Sequence, residues 1–270
     1  MTLSIVLGDT GFIGSAFSRS LIKNGKDFIG LNRQRIVIFN SGIWTELPRK
    51  NADLYSEIAP LLAEDCIVIN TTWRNNNREF RDSIVQKVNS ENEISLIDKL
   101  EASSVRYVSF GSIAEIEDLE ISPSYSTEYA RAKRMIAERL LDSNLVTFWI
   151  RVASSYGPND SRDWLIPQLL NSWRMKRGLH LENPDQLMNL YFVDSLVYAS
   201  LGVINLKKPG VYNAFSFQWL RVEDVRTCFQ NLVEPEYLAR ESGPFSPADP
   251  SGVLIESPPI SHYFAECKNL

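Results

Sequence analysis

The order of elements in this sequence predicts an α/β chain: a doubly wound parallel sheet over residues 1–157, then a smaller lobe over 158–270 whose strands can return to the first unit. Three observations predict it. Short β-branched runs alternate with longer helical stretches as far as Phe148, the pattern of βαβ units around a parallel sheet. A glycine-rich turn stands directly between the first strand and the first helix. Beyond Gly157-Pro158 the texture changes to prolines, tryptophans and shorter elements.

Leu3 to Leu7 is a fully apolar first strand, and Ile13 to Lys23 a helix closed near Gly25. Phe28 to Leu31 and Cys66 to Asn70 read as buried strands. A long helix is expected over Arg81 to Ser103, followed by the strand Arg106 to Phe110. Another helix runs from about Ser126 to Leu141 and leads into the strand Val146 to Arg151. The segment Ser242 to Pro259, rich in Pro, Ser and Gly, reads as loop.

Composition removes several function classes. A net charge of -5 over 270 residues gives no basic footprint for nucleic acid. Apolar runs such as Ile67 to Ile69 and Leu196 to Ile204 are too short or too interrupted to cross a bilayer. The opening Met1 to Leu7 reads as a strand and not a signal peptide, which with reduced thiols implies a cytoplasmic protein. Cys66, Cys228 and Cys267 make neither a metal pattern nor an even disulfide set. His180 and His262 are the only histidines and fall in no motif, so a zinc site or a histidine-dependent hydrolase is not expected.

Gly8-Asp9-Thr10-Gly11-Phe12-Ile13-Gly14 has the context of a Rossmann dinucleotide fingerprint, in which a pyrophosphate rests on N–H groups at a helix N-terminus. At the end of the second strand an acidic residue would take a ribose 2′-hydroxyl, whereas arginine accepts a 2′-phosphate. Gly30-Leu31-Asn32-Arg33-Gln34-Arg35 has no carboxylate and two arginines, which favours NADP, with NAD the alternative.

Tyr129-Ala130-Arg131-Ala132-Lys133 places a phenol and an ammonium on one helix face. A cation nearby favours phenolate, which suits the tyrosine to proton transfer. Ser112, just past the strand ending at Phe110, stands at the carboxyl edge where open parallel sheets hold ligands. A hydroxyl there can hydrogen-bond a substrate carbonyl. Ser109 competes for this role but lies within the strand, where burial is expected. Trp73, Arg74 and Asn75 to Asn77 follow the strand ending at Asn70, either touching substrate or forming a polar loop with one anchoring aromatic. Trp164 and Trp173 have helical spacing with Leu169 and Leu170, so core packing is expected for at least one.

With these motifs in order, residues 1 to 215 resemble the extended short-chain dehydrogenases, the family of nucleotide-sugar epimerases, dehydratases and ketoreductases. The resemblance also rests on Asp53-Leu54, Asn70-Thr71-Thr72, Asn89 in the long helix, Phe110-Gly111-Ser112, Glu138, Arg151 with Tyr156-Gly157-Pro158, and Tyr191 to Asp194. It implies Ser112, Tyr129 and Lys133 as a catalytic triad. It further implies a cofactor site of Gly8, Thr10, Gly11, Phe12, Ile13, Gly14, Asn32, Arg33, Asp53, Leu54, Thr71, Thr72 and Asn89, with Tyr129 and Lys133. Asp53 and Leu54 would lie near the adenine, and Tyr156 to Pro158 resembles the loop closing over the nicotinamide. A sugar or nucleotide-sugar would meet Trp73, Arg74, Ser112, Arg162 and Trp164, and a homodimer is the assembly to test.

Two departures bear on the reaction. Sugar dehydratases of this family carry an Asp-Glu or similar pair after the catalytic hydroxyl; here Ile113 and Ala114 stand there and Glu115 comes one place late. Ala114 also replaces the cysteine of the fucose-type epimerase-reductases. A ketoreductase or a C4-type epimerase remains, the reductase being the first expectation. An arginine that meets the pyrophosphate in many relatives is replaced by the Met188-Asn189 segment, leaving Arg162 or Arg177 as substitutes. A non-catalytic dinucleotide-binding sensor and an oxidoreductase of a non-sugar carbonyl are the rival readings.

Overall fold

In the computed structural model, the described residues are 2–50, 53–62, 65–74, 80–116, 127–161, 163–206, 208–214, 218–231, 238–239 and 260–268. Strand β1 (Ser4–Leu7) leads into helix α1 (Phe12–Lys23) and strand β2 (Phe28–Leu31). Then follow β3 (Arg35–Asn40), β4 (Ile43–Pro48), the short α2 (Leu54–Ile58), β5 (Ile67–Asn70), α3 (Ile84–Leu100), β6 (Arg106–Ser112), α4 (Glu128–Leu141) and β7 (Val146–Val152). The second half holds β8 (Ser154–Tyr156), α5 (Leu165–Arg174), β9 (Leu187–Met188), β10 (Leu190–Phe192), α6 (Val193–Leu206), β11 (Gly210–Ala214), β12 (Gln218–Arg221), α7 (Val222–Asn231), β13 (Leu238–Ala239) and α8 (Ile260–Lys268).

The main sheet has the order β11-β7-β6-β5-β1-β2-β3-β4. Every pairing from β11 to β2 is parallel. Successive strand residues point to opposite faces, and β1 feeds both: Val6 enters the core under α1 and α6, Ile5 and Leu7 the core under α3 and α4. Burial on both faces explains why these strands read as unbroken apolar runs. Strand order reverses at β1, between β2 and β5, and opens the crevice where such sheets take ligands.

A hairpin departs from the expected alternation. β3 and β4 add two antiparallel strands beyond β2, with no crossover helix between β2 and β3. Its signal was present in the β-branched apolar run Ile36 to Phe39 and in Ser41-Gly42, whose φ values of 50° and 85° suit a tight two-residue turn. After β10, α6 packs on α1 and β11 joins the main sheet beside β7. A third core, including Ile166, Leu220, Phe229 and Phe264, holds the remaining α5, α7 and α8. The segment 242–259 lies outside the described residues.

Asp53 caps α2, accepting from Ser56 N (2.8 Å) and Ser56 Oγ (2.7 Å), and pairs with Lys99 at 3.0 Å. The Ser56 bonds chiefly hold its carboxyl down to about 2. A depressed carboxyl contributes stability above its ordinary range and loses it as pH falls through the folded value. Asp53→Ala should therefore cost about 1 kcal/mol at neutral pH. In denaturant titrations the gap from wild type should close as pH drops from the ordinary 3.8 towards 2.

Candidate active site

Backbone crowding shapes the turn after β1. Gly8 has φ +82°, a Cβ on Gly14 would lie 2.1 Å from Gly8 O, and one on Gly11 3.2 Å from it. Thr71 Oγ1 donates to Leu7 O at 2.7 Å and closes the same gap from β5. Glycine at these places lets α1 start against the strand end. Phe12 and Ile13 send their side chains into the core, so what they can offer a ligand is main chain. α1 has no side-chain cap at Gly11, and Thr10 stands exposed on the rim. Uncapped N–H groups at an apolar helix start fit a pyrophosphate.

At the end of β2, Asn32 Oδ1 accepts from Gln34 N (2.9 Å) and Arg35 N (3.1 Å), tying down the β2–β3 connection. Arg33 is exposed, while Arg35 reaches across to Glu46 on β4 at 2.6 Å. Asn32 Nδ2 donates to Asp9 Oδ1 at 3.2 Å, so a carboxylate from the glycine turn stands beside the strand end. Leu54 opens α2 half-buried, next to the Asp53 cap.

Beyond β5, Thr72 donates to Asn70 Oδ1 through N (3.0 Å) and Oγ1 (2.5 Å). Asn70 donates onward to Tyr107 Oη (2.8 Å), and both Tyr107 and Ser109 donate to the buried Glu93 carboxylate. Ser109 is thus enclosed, as its place in the strand implied. Asn89 clasps the main chain of Arg74, accepting from its N–H at 3.3 Å and donating to its carbonyl at 2.9 Å. That makes Asn89 a support for the loop whose Arg74 side chain faces solvent.

The triad candidates converge on the carboxyl end of β6. Lys133 Nζ is buried and donates to Phe110 O at 2.6 Å, with the Trp73 ring 3.5 Å and the Trp149 ring 5.7 Å away. Tyr129 meets Trp73 edge-on at 5.7 Å and packs with Ala114 and Ala130. Trp73 therefore touches both members of the Tyr129–Lys133 pair. Its indole donates to Gln86 Oε1 at 2.9 Å, and Gln86 Nε2 to Phe80 O at 2.8 Å. Ser112 ends β6, and its Oγ accepts from Ala114 N at 3.2 Å, turning the chain into a 3₁₀ turn.

Glu115 is tied down beside this cluster, on the Trp149 side of Lys133. Its carboxylate accepts from Trp149 Nε1 at 2.9 Å and pairs with Arg151, fully enclosed. Burial nevertheless pushes it above the usual carboxylate range. Sequence reading missed Arg81. Its guanidinium lies between the rings of Tyr129 (5.2 Å) and Trp164 (5.0 Å), and its carbonyl accepts from Tyr129 N at 2.8 Å. No carboxylate pairs with it among the described residues. Periodicity could not flag it, because it precedes the first turn of α3 and only folding brings it to α4. Trp164 begins α5, where its indole stacks on Arg81; Arg162, Asn75, Asn76 and Asn77 lie outside the described residues.

A doubly wound sheet, a glycine turn at its switch point and a Tyr-Lys pair on the next-to-last crossover helix define an enzyme of the short-chain dehydrogenase type. Residues 4–214 match the model of the NAD dependent epimerase/dehydratase family, and the chain belongs to that family. Among solved structures it is similar to the Bordetella bronchiseptica enzyme WbmH in complex with NAD+ (TM-score 0.69, 18% identity, 98% of this chain and 96% of that one). It is also similar to UDP-N-acetylglucosamine 4-epimerase from Bacillus cereus (0.69, 16%, 85% and 82%). A third is a dTDP-4-dehydrorhamnose reductase from Clostridium acetobutylicum (0.66, 15%, 86% and 80%). No curated protein matches the chain in sequence. Among the described residues no helix is long and apolar enough to cross a membrane, and no side-chain cluster could hold a metal.

Burial raises the Glu93 carboxyl above its ordinary range, although Lys133, Ser109 and Tyr107 favour its charged form. An acid raised on folding contributes fully below its ordinary value and loses that contribution as pH rises through the folded one. Glu93→Gln should thus gain on wild type as pH rises above the ordinary carboxylate value of 4.5. Urea unfolding over a pH series checks it, with the difference in stability growing as pH rises.

Proposed function

We propose that the protein transfers hydride at one carbon of a nucleotide-linked sugar, reducing a keto group, and does not eliminate water. One observation carries this reading. Beside Ser112 the two positions of an elimination acid–base pair hold Ile113 and Ala114, and Ala114 packs on Tyr129. The next carboxylate in the chain, Glu115, is locked to Trp149 and Arg151. A base for the C5 proton and an acid for the departing hydroxyl would each contribute roughly 10²–10⁴-fold, and no such pair stands at this edge among the described residues.

A nicotinamide ring seated against β6 would give or take the hydride. Ser112 Oγ hydrogen-bonds the carbonyl, and Tyr129 Oη gives its proton to the developing alkoxide. Lys133, on the same helix face as Tyr129 and held at Phe110 O, is the group assigned to a ribose hydroxyl. Arg81, its guanidinium over the rings of Tyr129 and Trp164, suits an anionic substrate group such as a diphosphate. It offers a cation where Met188 and the buried Asn189 offer none. Epimerisation at the same carbon is the second reading, favoured by Asp9 beside β2, since a retained NAD suits oxidation followed by re-reduction.

The test is a panel of nucleotide-linked hexoses and 4-keto-6-deoxyhexoses incubated with reduced and oxidised dinucleotides and followed by mass spectrometry. A gain of two mass units from a keto-sugar is expected, and an unchanged mass with a new stereoisomer selects the epimerase. Loss of 18 mass units from a hexose overturns the reading. Tyr129→Phe should lower kcat by about 100-fold or more while dinucleotide affinity stays within a few fold. Arg81→Met should raise KM for the nucleotide-linked substrate by about 10-fold or more, with dinucleotide binding unchanged.

A further inference from the structure

We propose that Asp9 is the acceptor for the adenosine ribose hydroxyls, so that the chain selects NAD(H) over NADP(H) with a carboxylate carried on the glycine turn instead of on the end of β2. The inference rests on the dinucleotide-dependent reading above. Gly8 N and Asp9 N both donate to Leu31 O, at 2.6 and 3.3 Å, which stitches the turn to the last residue of β2. A Cβ built on Gly30 would lie 2.7 Å from Asp9 Oδ2 and 2.9 Å from its Cγ. The carboxylate thus occupies the space a side chain at residue 30 would fill, and Gly30 is required to admit it. Asn32 Nδ2 donates to Oδ1 at 3.2 Å. Because Asn32 Oδ1 is held by Gln34 N and Arg35 N, the amide's orientation is set and its Nδ2 is the group turned to Asp9.

This places an acceptor-only, negatively charged group at the strand end where a ribose hydroxyl pair would donate to it. A 2′-phosphate at that position would bring a second negative charge against it in a half-buried site. The cations that made a phosphate attractive in the sequence are differently placed. Arg35 favours the charged form of Asp9 through its field, but its guanidinium is spent on Glu46 across the hairpin. Arg33 is exposed at the β2–β3 turn. Burial raises the Asp9 carboxyl from its ordinary value, opposed first by the Asn32 hydrogen bond. Two hydroxyl donors from a ribose would compensate that desolvation, whereas a phosphate would add to it.

The experiment is calorimetric titration of the intact protein with NAD+, NADH, NADP+ and NADPH, repeated on Asp9→Asn and Asp9→Ala. Circular dichroism and thermal melts establish that each variant is folded, Asn being the isosteric change. Wild type should bind NAD(H) about 10- to 100-fold more tightly than NADP(H), and both variants should shrink that ratio towards one by losing NAD(H) affinity. Equal or tighter NADP(H) binding by wild type overturns the proposal. So does an unchanged ratio in both folded variants. A wild-type protein that binds none of the four overturns the dinucleotide-dependent reading itself, which separates the two failures.

Discussion

At the carboxyl end of β1, two backbone segments and one hydroxyl share a space that admits no further atom. Gly14 passes Gly8 O so closely that a Cβ would lie 2.1 Å from it, and Thr71 Oγ1 would lie 2.7 Å from the same Cβ. Most of the site takes its position from this contact. It aims the uncapped start of α1 over the sheet edge, and Gly8 N and Asp9 N then fasten the turn to the end of β2. Thr71 ties in β5, whose next residues lead to Trp73. A single added methyl would have to move backbone, and close-packed interiors pass such a shift on to their neighbours.

The other dense region surrounds Lys133. Burying an ammonium is costly unless it is well partnered. Here it has a carbonyl, two indole faces and the fields of Glu93 and Glu115. Gly111 is part of that arrangement, since a Cβ there would meet Trp149 Nε1 at 2.6 Å and Glu115 Oε1 at 2.8 Å. The indole can reach Glu115 only because residue 111 has no side chain. One backbone accommodation therefore both lines the lysine pocket and lets Glu115 bond Trp149.

Much of this was legible in the linear order of residues. The first strand, turn and helix stand at nearly their expected limits, as do Phe28 to Leu31 and the Tyr-Lys helix, because period and capping are local properties. The hairpin over Arg35 to Pro48 carried a local signal in its apolar run Ile36 to Phe39 and its Ser41-Gly42 turn, yet it broke the βαβ rhythm of the other strands. Asn89, which the resemblance groups with the cofactor residues, has both amide atoms engaged by the backbone of Arg74.

By itself the sequence determined the doubly wound class, the glycine turn after the first strand, the Tyr129–Lys133 pair on one helix, and Ile113 and Ala114 as the residues that follow Ser112. The class follows from the alternation of locally specified elements along the chain, and the other three from residues within one turn of helix or one strand of each other. Tertiary structure decided which charges meet. Asp9 and Gly30 are far apart in the chain, yet the parallel register of β1 and β2 sets Val6 opposite Gly30 and Leu7 opposite Leu31, and so lays the turn across the strand end. Arg81 comes between Tyr129 and Trp164, and Glu115 goes to Arg151, by contacts across elements that no spacing records. Charge acts through space with a strength set by burial, and neither the distance nor the burial of a side chain is a property of its neighbours along the chain.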